Sequence, residues 1–220
     1  TSNLKIPYTG TIPTGGDFTI EFWMYMTTVP NNYAMLFHGD TTNAVQIRFG
    51  DSGFGYKLQF CLFYNLLTTC YSVNYTQAQL ANTWKHVAWT RQSGVNRIFI
   101  DGVLQNINNG ANPSTYPLTS WTDSASISFA TGMWLSNDTT PTQSFTGYIS
   151  NFRLINGSAI YTSTFTVPTA KLTAISQTVA LMCQSNRFVD KSTNNYTVRQ
   201  TTVSNQPVAT SFGIHCGSVC

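Results

Sequence analysis

The chain has 220 residues, of which 42% are hydrophobic and 14% aromatic but only 9% charged, against roughly 25% in ordinary soluble domains. Its net charge of +3 comes from scattered lysines and arginines that form no basic stripe, which excludes the electrostatic footprint of a nucleic-acid binder. No apolar run approaches the ~18 residues of a membrane span, and Thr1 to Gly10 lacks the charged-then-apolar order of a signal peptide, so a secreted protein is expected here in its mature form, without membrane insertion.

The first clear element is FTIEFWMYM, residues 18 to 26. Phe18, Ile20, Phe22, Met24 and Met26 fall on one face and Thr19, Glu21, Trp23 and Tyr25 on the other, which predicts a strand with one face in a core. Strands are predicted next at Val45–Phe49, Tyr56–Leu62 and Cys70–Asn74. Cys61 and Cys70 flank LFYNLLTT, whose ends would face each other across a hairpin. That spacing predicts a disulfide if the compartment is oxidising, two small buried thiols being the alternative.

In TWKHVAWTRQSGVNRIFIDGVL, residues 83 to 104, Val87 and Trp89 share a face, as do Ile98 and Ile100. QSGVN joins the two strands and Asp101-Gly102 turns the chain again. Trp84, Val87 and Trp89 are expected to pack the sheet, with Arg91, Arg97 and Asp101 as charges on its rim. Asn106 to Thr122, rich in Asn, Pro and Ser, is expected to be a surface loop. Strands follow at Ser126–Phe129, Met133–Ser136, Gly147–Ile155, Ala180–Cys183 and Tyr196–Arg199. No window of about a dozen residues carries a helical stripe. The prediction is one all-β domain over residues 1–211, an antiparallel sandwich, with residues 212–220 as a C-terminal tail.

Chemistry is sparse. Glycoside hydrolysis needs two carboxyl groups about 5 to 10 Å apart, whereas the only glutamate is Glu21, with no second carboxylate within two alternating positions. His38, His86 and His215 stand in no recognised nucleophile setting, and no serine occupies a Gly-x-Ser-x-Gly elbow. His86 is expected to be a satisfied strand residue. Asp40, Asp51, Asp123 and Asp138 lie in loops but form no spaced acidic cluster, so no metal site or cofactor is predicted. Sequons at Asn74, Asn137, Asn156 and Asn195 are candidate glycan sites in a secreted eukaryotic setting. At Asn156 the following glycine favours a two-residue hairpin turn instead.

Three motifs resemble the concanavalin A-like, laminin-G-type jelly-roll sandwich found in viral, phage and bacterial surface proteins. They are GGDFTIEFWMYM (15–26), the 83–104 hairpin, and FTGYISNFRLINGSAIYTSTFTVPTAKLTA (145–174) followed by LMCQSNRFVDKSTNNYTV (181–198). The resemblance implies a two-sheet jelly roll and an extracellular place on a cell surface, appendage or virion. It does not by itself imply a function, because one fold hosts many.

Against the family pattern the chain lacks a first strand before Thr1 and ends in HCGSVC, which resembles the start of that strand. The expectation is a noncatalytic structural or adhesive module that assembles head to tail with copies of itself, as separate subunits or tandem repeats, through Ile214, Cys216, Val219 and Cys220. The alternative is a carbohydrate-binding module, with Trp23, Tyr25 and Trp121 as candidate sugar contacts.

Overall fold

The alternation in Phe18–Met26 sets the first layer: its five inward side chains are at most 1% exposed, while Trp23 and Tyr25 on the opposite face are only half-buried. The computed structural model describes residues 2–28, 34–39, 45–50, 55–64, 67–109, 119–123, 127–129, 133–135, 145–185, 187–202 and 214–216. The strands begin with β1 (Ser2–Ile6), β2 (Thr11–Ile12), β3 (Phe18–Met26), β4 (Ala34–His38), β5 (Val45–Phe49), β6 (Leu58–Tyr64) and β7 (Leu67–Val73). One helical turn, α1 (Gln77–Leu80), precedes β8 (Trp84–Gln92), β9 (Val95–Ile100), β10 (Val103–Leu104), β11 (Ile107–Asn109) and β12 (Trp121–Thr122). Then come β13 (Ile127–Ser128), β14 (Met133–Leu135), β15 (Gly147–Asn156), β16 (Thr178–Met182), β17 (Arg199–Thr202) and β18 (Ile214–Cys216).

Two sheets form the sandwich. One runs β11-β7-β6-β5-β4-β14-β1-β17. The other is built on β10-β9-β8-β3-β15-β16, with β12 added to β9 and β18 to β15. Aromatic rings bridge the layers: Phe37 of β4 lies 5.3 Å from Phe152 of β15, and Phe60 of β6 meets Trp89 of β8 edge-on at 5.7 Å. Each ring so buried contributes about 1.5–3 kcal/mol through the area it removes from water.

The turns explain the register. Ser93 (φ 48°) and Gly94 (φ 80°) form a two-residue turn between Gln92 and Val95, tighter than the five residues of QSGVN, and Asp101 (φ 51°) with Gly102 (φ 75°) does the same between β9 and β10. Two successive residues at positive φ match the right-handed twist of the flanking strands. Gly102 is required twice over, since a Cβ there would lie 2.1 Å from the carbonyl oxygen of Phe165.

Several expectations are corrected. The 106–122 stretch is not all loop: Ile107–Asn109 pairs with β7 and Trp121–Thr122 with β9, because edge positions in both sheets accept short strands. Asn156-Gly157 is no hairpin. β15 and β16 pair directly, but residues 157–177 between them cross the outer face of the sheet. The strand expected at Tyr196–Arg199 lies at Arg199–Thr202, beside β1, and residues 189–196 instead cover the edge of β16, where Asp190 accepts backbone N–H groups from Leu181, Ser192 and Tyr196 at 2.9 Å each. Arg91 is no rim charge. It is fully buried, over the ring of Phe18 at 5.1 Å, and donates to Asp123 Oδ1 (2.9 Å) and to the carbonyls of Gly16 and Pro13.

The tail strand β18 pairs in parallel with β15 of its own chain, Ile214 opposite Gly147, His215 opposite Tyr148 and Cys216 opposite Ile149. It lies beside the part of β15 that β16 leaves unpaired. Val219 and Cys220 lie outside the described residues.

Candidate functional site

The outer face of the β8-β3-β15 sheet divides into a covered half and an open half. Residues 157–177 cover the first. Thr19 Oγ1 donates to Ser158 O at 2.9 Å, Thr90 Oγ1 to Tyr161 O at 2.8 Å, and Phe165 N to Gly102 O at 2.9 Å. Beneath this cover Glu21 is fully buried. Its Oε1 accepts from Arg153 Nε at 2.7 Å, and its Oε2 from the Tyr161 hydroxyl at 2.9 Å and from His86 Nε2 at 3.3 Å.

Burial pushes the Glu21 carboxyl up, but the His86 hydrogen bond and the Arg153 charge more than offset it, and the group is held below the usual carboxylate range. Burial first, and then the neighbouring Glu21 carboxylate, pushes the Tyr161 hydroxyl far above its ordinary range. The hydrogen bond to Glu21 assigns the His86 proton to Nε2. Nδ1 is buried without a hydrogen-bond partner, and the ring lies edge-on to Trp23 (5.2 Å) and Phe165 (5.7 Å). Both oxygens of the Glu21 carboxylate are engaged by structural donors, so the cluster is a clasp that holds residues 157–177 on the sheet.

The open half carries the aromatic side chains. Tyr148, Tyr25 and Trp84 are directly opposed across β15, β3 and β8. Their ring centroids lie 5.9 Å (Tyr25–Tyr148), 5.6 Å (Tyr25–Trp84) and 6.4 Å (Trp84–Tyr148) apart. Tyr148 is 37% exposed, and Tyr25 and Trp84 are half-buried. Such rings offer an apolar face with a polar handle, the chemistry that packs on the C–H face of a sugar. Trp23 is also half-buried, next to His86.

Two of the three expected sugar contacts thus stand on this face. Trp121 does not: it is 5% exposed and stacked on Tyr71 at 4.3 Å inside the core. Trp84, expected with Val87 and Trp89 to pack the sheet, stands instead beside Tyr25 on this face, and Tyr148 joins it there. The parity of Trp84 with His86, opposite to Val87 and Trp89, was a usable signal. Tyr148 had none, since only the pairing of β15 with β3 puts it beside Tyr25.

Cys61 and Cys70 stand opposite each other on β6 and β7 and are joined by a disulfide, while Cys183 is buried and unbridged. Asn74 and Asn195 are exposed. Asn156 is half-buried, and its Nδ2 donates to Tyr8 OH (3.1 Å) and Thr11 O (3.0 Å). Asn137, Asp40, Asp51 and Asp138 lie outside the described residues. A cavity of about 460 Å³ between the β5–β6 turn and the start of α1 is lined, among the described residues, by Lys57, Asn74, Tyr75 and Thr76 and their neighbours. Among the described residues no cluster of His, Cys, Asp and Glu could hold a metal ion, and no helix is long and apolar enough to cross a membrane.

No curated protein matches the chain in sequence. Among solved structures it is similar to a proposed carbohydrate-binding protein from Bacteroides ovatus, at 14% identity and a TM-score of 0.53, over 92% of this chain and 58% of that one. It is similar also to the SAP-like pentraxin of Limulus polyphemus (14% identity, TM-score 0.45, 72% of this chain and 77% of that one). Mouse laminin alpha1 domains LG4-5 give 14% identity and a TM-score of 0.42, over 77% of this chain and 47% of the other. At these identities the likeness is one of fold. The model of a laminin-G-type family matches residues 1–164, and by that match the chain belongs to the concanavalin A-like lectin/glucanases superfamily.

Proposed function

We propose that the protein is a noncatalytic extracellular recognition module that binds carbohydrate through the open aromatic face of Tyr25, Trp84 and Tyr148. The observation that carries this reading is their direct opposition across three strands, next to a half of the same sheet that is covered. The carbohydrate binding proposed for the Bacteroides ovatus relative agrees with it. A noncatalytic role rests on Glu21, the sole glutamate, whose carboxylate is buried and held by Arg153, His86 and Tyr161. The Cys61–Cys70 bridge suits an oxidising, extracellular setting.

Head-to-tail assembly through the tail is a separate reading. It asks the tail to pair with a strand of another copy, and here β18 pairs with β15 of its own chain. Recognition is therefore the function advanced. A glycan array probed with the wild type and with Trp84→Ala tests it: selective, saturable binding that the substitution abolishes is expected, and an array without any bound glycan would overturn it.

A further inference from the structure

Resting on the reading that the aromatic face binds sugar, we infer that it takes a single neutral pyranose unit, such as the end of a glycan, without calcium, and not a flat or extended polysaccharide track. The ring angles carry the first part. Tyr25 is inclined 59° to Trp84 and 61° to Tyr148, and Trp84 is inclined 42° to Tyr148. No two rings are coplanar, so one flat sugar face can lie on only one of them while the others meet its edge.

Spacing carries the second part. β8 and β15 are two strand intervals apart, about 9–10 Å, yet the rings of Trp84 and Tyr148 are 6.4 Å apart. Both lean over Tyr25. The triad is therefore a compact three-sided contact and does not form a row along which a polymer could lie.

Charge carries the third. Just past the triad, at the same end of the sheet, stand Thr27, Asn82 and Thr146, all exposed. Thr27 N donates to Thr146 O at 3.1 Å and Asn82 N to Met26 O at 2.8 Å, which ties the three together. On the other side are Trp23, Ser150 and the buried His86, and His215 of β18 lies opposite Tyr148. The charges next to Trp84 among the described residues are Lys85 and Asp101, which pair with each other at 2.8 Å, while Asp101 Oδ1 also accepts from His86 N at 3.0 Å. Hydroxyl and amide groups beside aromatic rings hydrogen-bond sugar hydroxyls. Asp101 is engaged by Lys85 and by the His86 N–H, and Lys85 by Asp101, so the pair neutralises itself and is not offered to calcium or to a uronate or sulfate.

The test is titration calorimetry on the intact protein with methyl glycosides of glucose, galactose and mannose, with N-acetylglucosamine, and with their di- to tetrasaccharides, in low and high salt and with and without a chelator. For whichever sugar binds, affinity is expected to change by less than about threefold from mono- to tetrasaccharide and to ignore salt and chelator. Tyr148→Ala, at an exposed position, is expected to weaken it about tenfold, with Tyr148→Phe retaining most of it. A rise of more than about tenfold with chain length, or loss of binding on adding salt or chelator, would overturn the inference while leaving sugar binding intact. If none of these saccharides binds, the underlying functional reading fails with it.

Discussion

Tyr161 donates its hydroxyl to Glu21 Oε2 at 2.9 Å, joining residues 140 positions apart in sequence. Through this bond, and through Arg153 and His86 on either side, a segment without regular secondary structure is clasped to the central strand β3.

Breaking the clasp is expected to destabilise without touching recognition. Glu21→Gln leaves Arg153 without its anionic partner in a buried site and is expected to cost about 3–5 kcal/mol. Tyr161→Phe removes one hydrogen bond to a charged acceptor, about 1–3 kcal/mol. Urea unfolding of the two variants checks the order, and equal losses would contradict the roles assigned.

The same groups set the pH limits of stability. Glu21 titrates below its ordinary 4.5 in the folded state, so its contribution is complete above that pH and is lost as pH falls through the lowered value. Tyr161 titrates above its ordinary 10.0, so its contribution is complete below pH 10.0 and is lost as pH rises further. Melting temperature against pH should show Glu21→Gln flattening the acid limb and Tyr161→Phe flattening the alkaline one.

The Cys61–Cys70 bridge spans nine positions on paired strands. Its removal by a Cys61→Ser, Cys70→Ser double substitution is expected to cost about 2–3 kcal/mol through the entropy of the unfolded chain. Alkylation of the native, unreduced protein should leave both cysteines unmodified and should reach buried Cys183 only on unfolding.

Cys216 stands opposite Ile149 across the β15–β18 pairing. An Ile149→Cys variant, oxidised mildly and run without reductant, is expected to give a cross-linked monomer. A ladder of covalent oligomers would instead assign β18 to a neighbouring copy and revive head-to-tail assembly.

Sequon use should follow exposure of the asparagine. On secretion from eukaryotic cells, glycopeptide mapping is expected to find sugar at exposed Asn74 and Asn195 and none at Asn156, whose amide nitrogen already donates to Tyr8 and Thr11. A glycan on Asn156 would show that those two bonds do not form.

Local pattern was enough for the strands that alternate cleanly. In Phe18–Met26 and in the 87–100 hairpin the period of two names the buried face, because successive side chains on a strand must point to opposite sides. The Asp101-Gly102 turn was likewise legible, since positive φ at two successive positions restricts the residues that fit. The short edge strands at Ile107–Asn109 and Trp121–Thr122 were not, because two or three residues carry no period and exist only where a neighbouring edge accepts them.

The candidate site divides in the same way. Sequence alone determined that Glu21, Trp23 and Tyr25 share the face opposite the core and that no second glutamate exists. Only the tertiary structure decided that Glu21 is sealed under residues 157–177 while Tyr25 remains half-open, that Trp121 belongs to the core, and that Trp84 and Tyr148 complete the aromatic face. The reason is physical. Which face of a strand a side chain occupies follows from its own neighbours in sequence, but whether that face is covered, and by what, depends on segments more than a hundred residues away that the strand meets only in the folded sheet.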